Sequence, residues 1–231
     1  MQPQKQSLVI AIPKGRIQEE VVPMLQKVGI FPEQAFFDDS ERQLQFACKT
    51  SLENVEISLI RVRSFDVPTF VAFGAAHIGV AGSDVLMEFD YSDLYTPLDL
   101  NIGHCRLSVA TLNENNDDFS QASHIKIATK YPNITKNYFA KKGIQAECIK
   151  LSGAMELAPK LGLAPYIVDL VSSGQTLLAN GLKEIEVINK VSSRLIINRT
   201  AFKTRNAEIS GIIDGFREGV IPPRSDMSGR V

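Results

Sequence analysis

Ile-Val-Asp-Leu-Val-Ser-Ser-Gly-Gln-Thr, residues 167–176, reads as a buried strand that empties into a loop suited to an anion. The apolar run has strand length and ends in Ser172, Ser173, Gly174 and Thr176; Leu177, Leu178 and a stop at Gly181 then outline a short helix. A helix start offers unpaired N–H groups and the positive end of a dipole, hydroxyls add donors, and Gly174 lets the backbone come close to a ligand. A phosphate fits such a loop. Asp169 would repel it, so its presence makes sense if the ligand also carries sugar hydroxyls that donate to the carboxylate. The stretch therefore points to a ribose 5-phosphate, although an ordinary strand, turn and capped helix with a solvated Asp would share the pattern.

Around this stretch, strand-like and helical runs alternate, as in an α/β fold with mainly parallel sheets. Residues 8–12 open the series as a strand. Pro13-Lys-Gly-Arg16 leads into Ile17, Val21, Met24, Leu25 and Val28 on one helical face, which Gly29 stops. Pro23 removes a donor within that helix and predicts a kink or a late start. Residues 55–61 form a strand, Asp66-Val-Pro68 begins a helix that runs toward Gly74, and residues 77–81 make another strand. Gly82 and Ser83 then turn into a helix over 84–89. Strand 106–112, a polar loop over 113–121, strand 125–130, helix 132–142 stopped by Gly143, strand 146–151 and a helix near 153–161 build a second lobe. Strands 184–190 and 194–198 carry the chain back. The expected organisation is a first lobe of residues 1–104 and 185–231, a second of 105–184, and a ligand cleft between them.

Lys14-Gly15-Arg16, directly after the first strand, is a second candidate site. The helix dipole disfavours two cations at a helix start, so an anion must offset them. A polyphosphate would do so, held by the planar fork of Arg and the point charge of Lys. Arg42, Arg61 and Arg63 either add to this pocket or serve as surface and ion-pair residues. His77, His104 and His124 lack metal-ligand spacing, and no Ser-His-Asp or Cys-His set can be assembled.

Composition narrows the classes further. With 25 Lys plus Arg against 26 Asp plus Glu, the net charge is −1, which argues against a nucleic-acid binder that works by phosphate neutralisation. The hydrophobic share of 44% over 231 residues is ordinary for one or two globular domains. Cys48, Cys105 and Cys148 are too few and too scattered for a disulfide framework and read as buried thiols. The polar start and the absence of a spanning-length apolar stretch lead us to expect a cytoplasmic protein.

Eight segments together resemble the short form of ATP phosphoribosyltransferase, the catalytic subunit of the first step of histidine biosynthesis. They are Leu8-Val-Ile-Ala-Ile-Pro-Lys-Gly-Arg16, Arg61-Val-Arg-Ser-Phe-Asp-Val-Pro-Thr69, Gly79-Val-Ala-Gly-Ser-Asp-Val-Leu86, Cys105-Arg-Leu-Ser-Val-Ala110, Ala128-Thr-Lys-Tyr-Pro-Asn133, Leu151-Ser-Gly-Ala-Met-Glu-Leu-Ala-Pro159, residues 167–176, and Arg194-Leu-Ile-Ile-Asn-Arg199. The resemblance runs nearly end to end. It implies a two-lobed fold like the type II periplasmic binding proteins, without a C-terminal regulatory domain, since the stretch after Arg205 is too short for the histidine-binding domain of long-form members. It also implies transfer of phosphoribosyl from phosphoribosyl pyrophosphate (PRPP) to the adenine ring of ATP, with magnesium bound to substrate.

The resemblance places the PRPP 5-phosphate on Ser172, Ser173, Gly174, Gln175 and Thr176, and the ribose hydroxyls near Asp169 and Glu156. Lys14 and Arg16 become catalytic groups that meet pyrophosphate or the ATP phosphates, while Arg42, Arg61 and Asp84 shape the ATP side. The chain departs from the family pattern at His77 and Pro165, where relatives often carry Asp, and at Ser172-Ser173. Implied partners are a second copy of the chain and a regulatory subunit similar to histidyl-tRNA synthetase, in a hetero-oligomer. A solute-binding module and a silent regulatory relative are the competing classes. The missing leader and the basic loop argue against the first, and the intact cradle against the second.

Overall fold

The computed structural model describes residues 7–53, 55–116 and 119–220. The polar start lies outside the described residues as far as Gln6, as do two positions of the expected loop over 113–121.

β1 (Leu8–Pro13) shows how the first part of the chain is built. Leu8, Ile10 and Ile12 enter one apolar cluster, while Val9 and Ala11 pack into another on the opposite side of the strand. A strand apolar on both faces belongs in the middle of a sheet covered on both sides, where each fully buried Ile or Leu contributes about 1.5–3 kcal/mol. α1 (Arg16–Lys27) follows and buries Val21, Val22, Met24 and Leu25. It begins at Arg16 and runs through Pro23 as one element, so the late start is not taken. Pro23 and Glu19 both sit on the exposed face, so the carbonyl that Pro23 leaves without an amide partner faces water. Gly29 ends the helix at φ +87°, and a side chain there would collide with Ser51.

β2 (Ile30–Pro32), β3 (Gln45–Thr50), β4 (Ile57–Val62), α2 (Val67–Ala72), β5 (Ile78–Gly82), α3 (Ser83–Phe89) and β6 (Leu94–Asp99) come next. The second part holds β7 (Cys105–Leu112), β8 (His124–Thr129), α4 (Pro132–Lys141), β9 (Gln145–Lys150), α5 (Leu157–Lys160), β10 (Tyr166–Val171), α6 (Gln175–Ala179) and β11 (Leu182–Val191). The start of α4 is satisfied from afar, since the Glu88 carboxylate accepts the N–H groups of Asn133 and Ile134 at 3.0 Å. β12 (Ser193–Asn198), α7 (Arg199–Thr204) and α8 (Asn206–Val220) close the described chain.

Two sheets result, ordered β2-β3-β4-β1-β5-β12-β6 and β11-β7-β10-β8-β9. The expectation of mainly parallel sheets needs correction. Parallel pairing among the described strands is confined to β4-β1-β5 and β10-β8-β9, and every other neighbouring pair is antiparallel. β2, β3 and β6 were not anticipated, and the helix near 153–161 shrinks to Leu157–Lys160.

The described residues divide into two units: one runs from Ser7 to Leu86 and adds Tyr91–Gly103 and the described residues from Ser192, while the other takes Met87–Asp90 and the described residues of His104–Val191. Residues 185–191, expected in the first lobe, go with the second unit because β11 pairs antiparallel with β7 from Leu182 to Val191. No helix among the described residues is long and apolar enough to cross a membrane.

Candidate functional site

The loop after β10 is assembled as its sequence suggests. Tyr166, Ile167 and Val168 are buried, Asp169 is half-buried, and the chain emerges at Ser172 and Ser173, which are exposed. Gly174 turns at φ +82°, a left-handed conformation that disfavours other residues, and α6 starts at the next position. The first turn of a helix leaves its N–H groups without intrahelical partners, and here they belong to Gln175, Thr176 and Leu177. Ser173 Oγ lies 3.4 Å from the Gln175 amide.

Glu156, Asp169, Ser172, Ser173, Gly174 and Thr176 line a single pocket with Leu170, Val171 and Leu177. Six of the seven residues expected to hold PRPP are thus brought together, and Gln175 opens α6 without lining the pocket. Asp169 turns one carboxylate oxygen back onto the Leu170 amide at 2.8 Å, which fixes its direction. Glu156 stands at the start of α5 after a turn in which Ala154 has φ +54°, a left-handed conformation that costs a residue with a Cβ about 1 kcal/mol.

Two residues beside this loop escaped the sequence reading. Arg106 on β7 grips Glu184 of β11 with Nε and Nη2, at 2.6 and 2.5 Å, and donates from Nη1 to the Ser172 carbonyl at 2.9 Å. Ser108 Oγ donates to the same carboxylate at 2.8 Å. These hydrogen bonds, chiefly the one from Arg106, hold the Glu184 carboxyl below the usual carboxylate range. The only sequence signal was a single charged residue inside a mostly apolar strand, and its partner lies 78 positions away.

In the first unit, Lys14, Gly15 and Arg16 are exposed where β1 passes into α1. Gly15 adopts φ +95° with open space around it, so the backbone angle rather than crowding requires glycine. Arg16 Nε lies 3.2 Å from Glu20, which also accepts the Gly103 amide at 2.8 Å. Part of the offsetting anion demanded by two cations at a helix start is therefore internal.

Arg61 requires a correction. Its side chain is fully buried, with Nη1 donating to the carbonyls of Phe36 and Asp38 at 2.9 and 3.0 Å and Nη2 to Glu41 at 3.2 Å. The guanidinium lies 5.0 Å from the Phe46 ring centre. Both terminal nitrogens are committed to the backbone of residues 36–41, so the side chain shapes that segment instead of facing ATP. Arg42, next along, is exposed. Asp84 is 3% exposed and folds its carboxylate over Gly82, where a Cβ would come within 2.1 Å of Oδ1; it is thus not presented at the surface as the ATP assignment expected. His77 is half-buried, and its Nδ1 accepts the Val9 amide at 3.0 Å. The three cysteines are half-buried rather than buried as expected, and burial above all pushes the Cys48 thiol up to about 12 and also raises Cys148, so these two are poor nucleophiles.

Comparison with known proteins adds a separate line of support. A family model described as ATP phosphoribosyltransferase matches residues 63–218. An ATP phosphoribosyltransferase of Paramagnetospirillum magneticum is 60% identical over 220 residues, covering 94% of this chain and 98% of its own. Among solved structures, the ATP phosphoribosyl transferase (HisG:HisZ) complex from Thermotoga maritima matches with a TM-score of 0.76 at 31% identity, over 92% of this chain and 98% of that one. The periplasmic VFT2 domain of Bordetella pertussis BvgS matches with a TM-score of 0.56 at 12% identity, over 93% and 88%, and shows a shared fold alone.

Proposed function

The chain belongs to the ATP phosphoribosyltransferase family, and from that premise we propose which of its residues carry the reaction. The enzyme transfers phosphoribosyl from PRPP to the adenine ring of ATP with release of pyrophosphate, the first step of histidine biosynthesis. The loop of residues 172–176 takes the PRPP 5-phosphate, and Asp169 and Glu156 accept from the ribose hydroxyls. One observation carries this assignment: hydroxyl and amide donors share a pocket with two carboxylates, a combination that suits a phosphorylated sugar and would repel a bare anion.

Lys14 and Arg16 meet the pyrophosphate or the ATP phosphates, with Arg42 on the ATP side. An exposed pair such as Arg16–Glu20 contributes at most about 1 kcal/mol, so a polyphosphate competes for the guanidinium at little cost. A ring nitrogen of adenine already bears a lone pair and needs no base to become a nucleophile. It bonds to the anomeric carbon as the C–O bond to pyrophosphate breaks, and the bonding electrons leave with the pyrophosphate. Positioning and charge stabilisation by Lys14 and Arg16 then suffice. The oxygen donors of Glu156 and Asp169 suit a hard cation carried in with substrate. Magnesium, when bound, would neutralise charge on the leaving pyrophosphate.

The T. maritima neighbour was solved as a HisG:HisZ complex. That likeness supports a hetero-oligomer with a second component; the homodimer and a regulatory subunit similar to histidyl-tRNA synthetase belong to the same proposal and rest on the family resemblance. Its substrates, both phosphorylated metabolites, support a cytoplasmic location.

Incubating the purified chain with ATP, PRPP and magnesium should yield pyrophosphate and an adenine-substituted product with a changed ultraviolet spectrum. Lys14→Ala should lower turnover by roughly 10²-fold, the size expected for one preorganised electrostatic contact. Gly174→Val should weaken PRPP far more than ATP, because a branched side chain resists the left-handed turn and blocks backbone approach. Equal losses for both ligands in titration would defeat the loop assignment, and normal turnover in Lys14→Ala would remove that residue from the mechanism.

A further inference from the structure

The phosphate loop is mostly exposed and has little packing of its own. Arg106 is opposite Val171, the last β10 residue before the loop, and its Nη1 holds the carbonyl of Ser172, the loop's first residue. A peptide unit is planar, so fixing the Ser172 carbonyl also fixes the direction of the Ser173 N–H. The guanidinium is itself anchored, because Glu184 takes Nε and Nη2 together and is steadied by Ser108. The loop is thus tied through one side chain to two neighbouring strands, β7 and β11.

We propose that Arg106 is a positioning residue for the phosphoribosyl donor: with Glu184 as its anchor, it holds residues 172–174 in the shape that receives the 5-phosphate. This rests on the assignment of that loop to PRPP. Arg106 acts without touching substrate. Its effect is preorganisation, because a loop already in its bound shape does not have to be ordered when the ligand arrives. The geometry also gives Glu184 a distinct task. By occupying two of the three guanidinium nitrogens, it keeps the side chain aimed at the carbonyl rather than swinging toward the bound phosphate.

The test compares Arg106→Met and Arg106→Lys with the parent enzyme, reading KM for PRPP, KM for ATP, thermal stability and the Kd of ribose 5-phosphate as a probe of the loop alone. Arg106→Met should raise KM for PRPP and Kd for ribose 5-phosphate about tenfold, with KM for ATP within twofold. Arg106→Lys keeps a partner for Glu184 but cannot serve both acceptors, so it should fold normally and show about a threefold rise in the same two constants. If Arg106→Met does not fold, Arg106→Lys decides. Ribose 5-phosphate affinity within twofold of the parent in a folded variant would overturn the proposal, as would equal rises in both KM values. Gly174→Val separates the two levels of the argument. If it leaves ribose 5-phosphate binding intact, the loop assignment itself fails; if it abolishes binding while the Arg106 variants do not weaken it, only the positioning role fails.

Discussion

At the scale of single residues, His77 shows how one side chain ties stability to pH. Its Nδ1 can accept the Val9 amide only while unprotonated. Burial, aided by the Arg205 charge and opposed by Glu208, holds its pKa below the ordinary 6.5. A depressed pKa means that the unfolded chain binds the proton more readily than the folded one. The stabilisation is therefore complete above pH 6.5 and is lost as the pH falls through the lower, folded value. His77→Gln retains an amide acceptor without titrating, so its melting temperature should decline less between pH 6.5 and 5 than that of the parent. Parallel declines would show that other groups carry the acid sensitivity. His77 and Arg61 also mark what local sequence conceals. Nothing next to Arg61 announces that three carbonyls of residues 36–41 will surround it, and a cation read beside other cations looks like a ligand contact.

At the scale of elements, α8 offers a contrast between two of its glycines. A Cβ on Gly215 would lie 3.0 Å from both methyls of Val28, where α8 meets the end of α1, whereas a Cβ on Gly211 would meet nothing within 4 Å. Gly215→Leu should cost about 1–3 kcal/mol by overpacking. Gly211→Ala should stabilise by up to about 1 kcal/mol, through helix propensity and a less flexible unfolded chain. Denaturant melts read both, and a neutral Gly215→Leu would mean that the two helices part without loss. Legibility of the elements follows burial in the same way. β1, β5 and β10 lie inside their sheets, and their continuous apolar runs could be read directly. β6 is an edge strand containing Pro97 and an exposed Tyr95, and β3 alternates only weakly, so each is a strand because of what it pairs with. The phosphate loop could be read for the opposite reason: its donors, its glycine and its strand lie within ten consecutive residues. The brace from Arg106 could not, because its members come from β7, β11 and the residue after β10.

At the scale of the whole molecule, the matter is control. Given a regulatory partner of the kind proposed, histidine must bind the inhibited assembly more tightly than the active one, and the coupling belongs to the assembly. The isolated chain should therefore keep its activity at histidine concentrations that inhibit the complex, and adding the partner should both raise activity and confer inhibition. Steady-state rates with and without the partner test this. Strong inhibition of the chain alone would place the effector site within these 231 residues and end the idea.

One feature of the first sheet bears on how the chain leaves the ribosome. β12 lies between β5 and β6, and among the described residues β6 has no other neighbour, so a nascent chain that has emerged only as far as Val191 leaves β6 unpaired and the outer edge of β5 open. By then β7 to β11 have all appeared and the second sheet has every strand it needs. Synthesis therefore completes the two units in an order opposite to that in which they begin: the one started first must wait, with the outer edge of β5 open and β6 unpaired, for six residues made some ninety positions after β6.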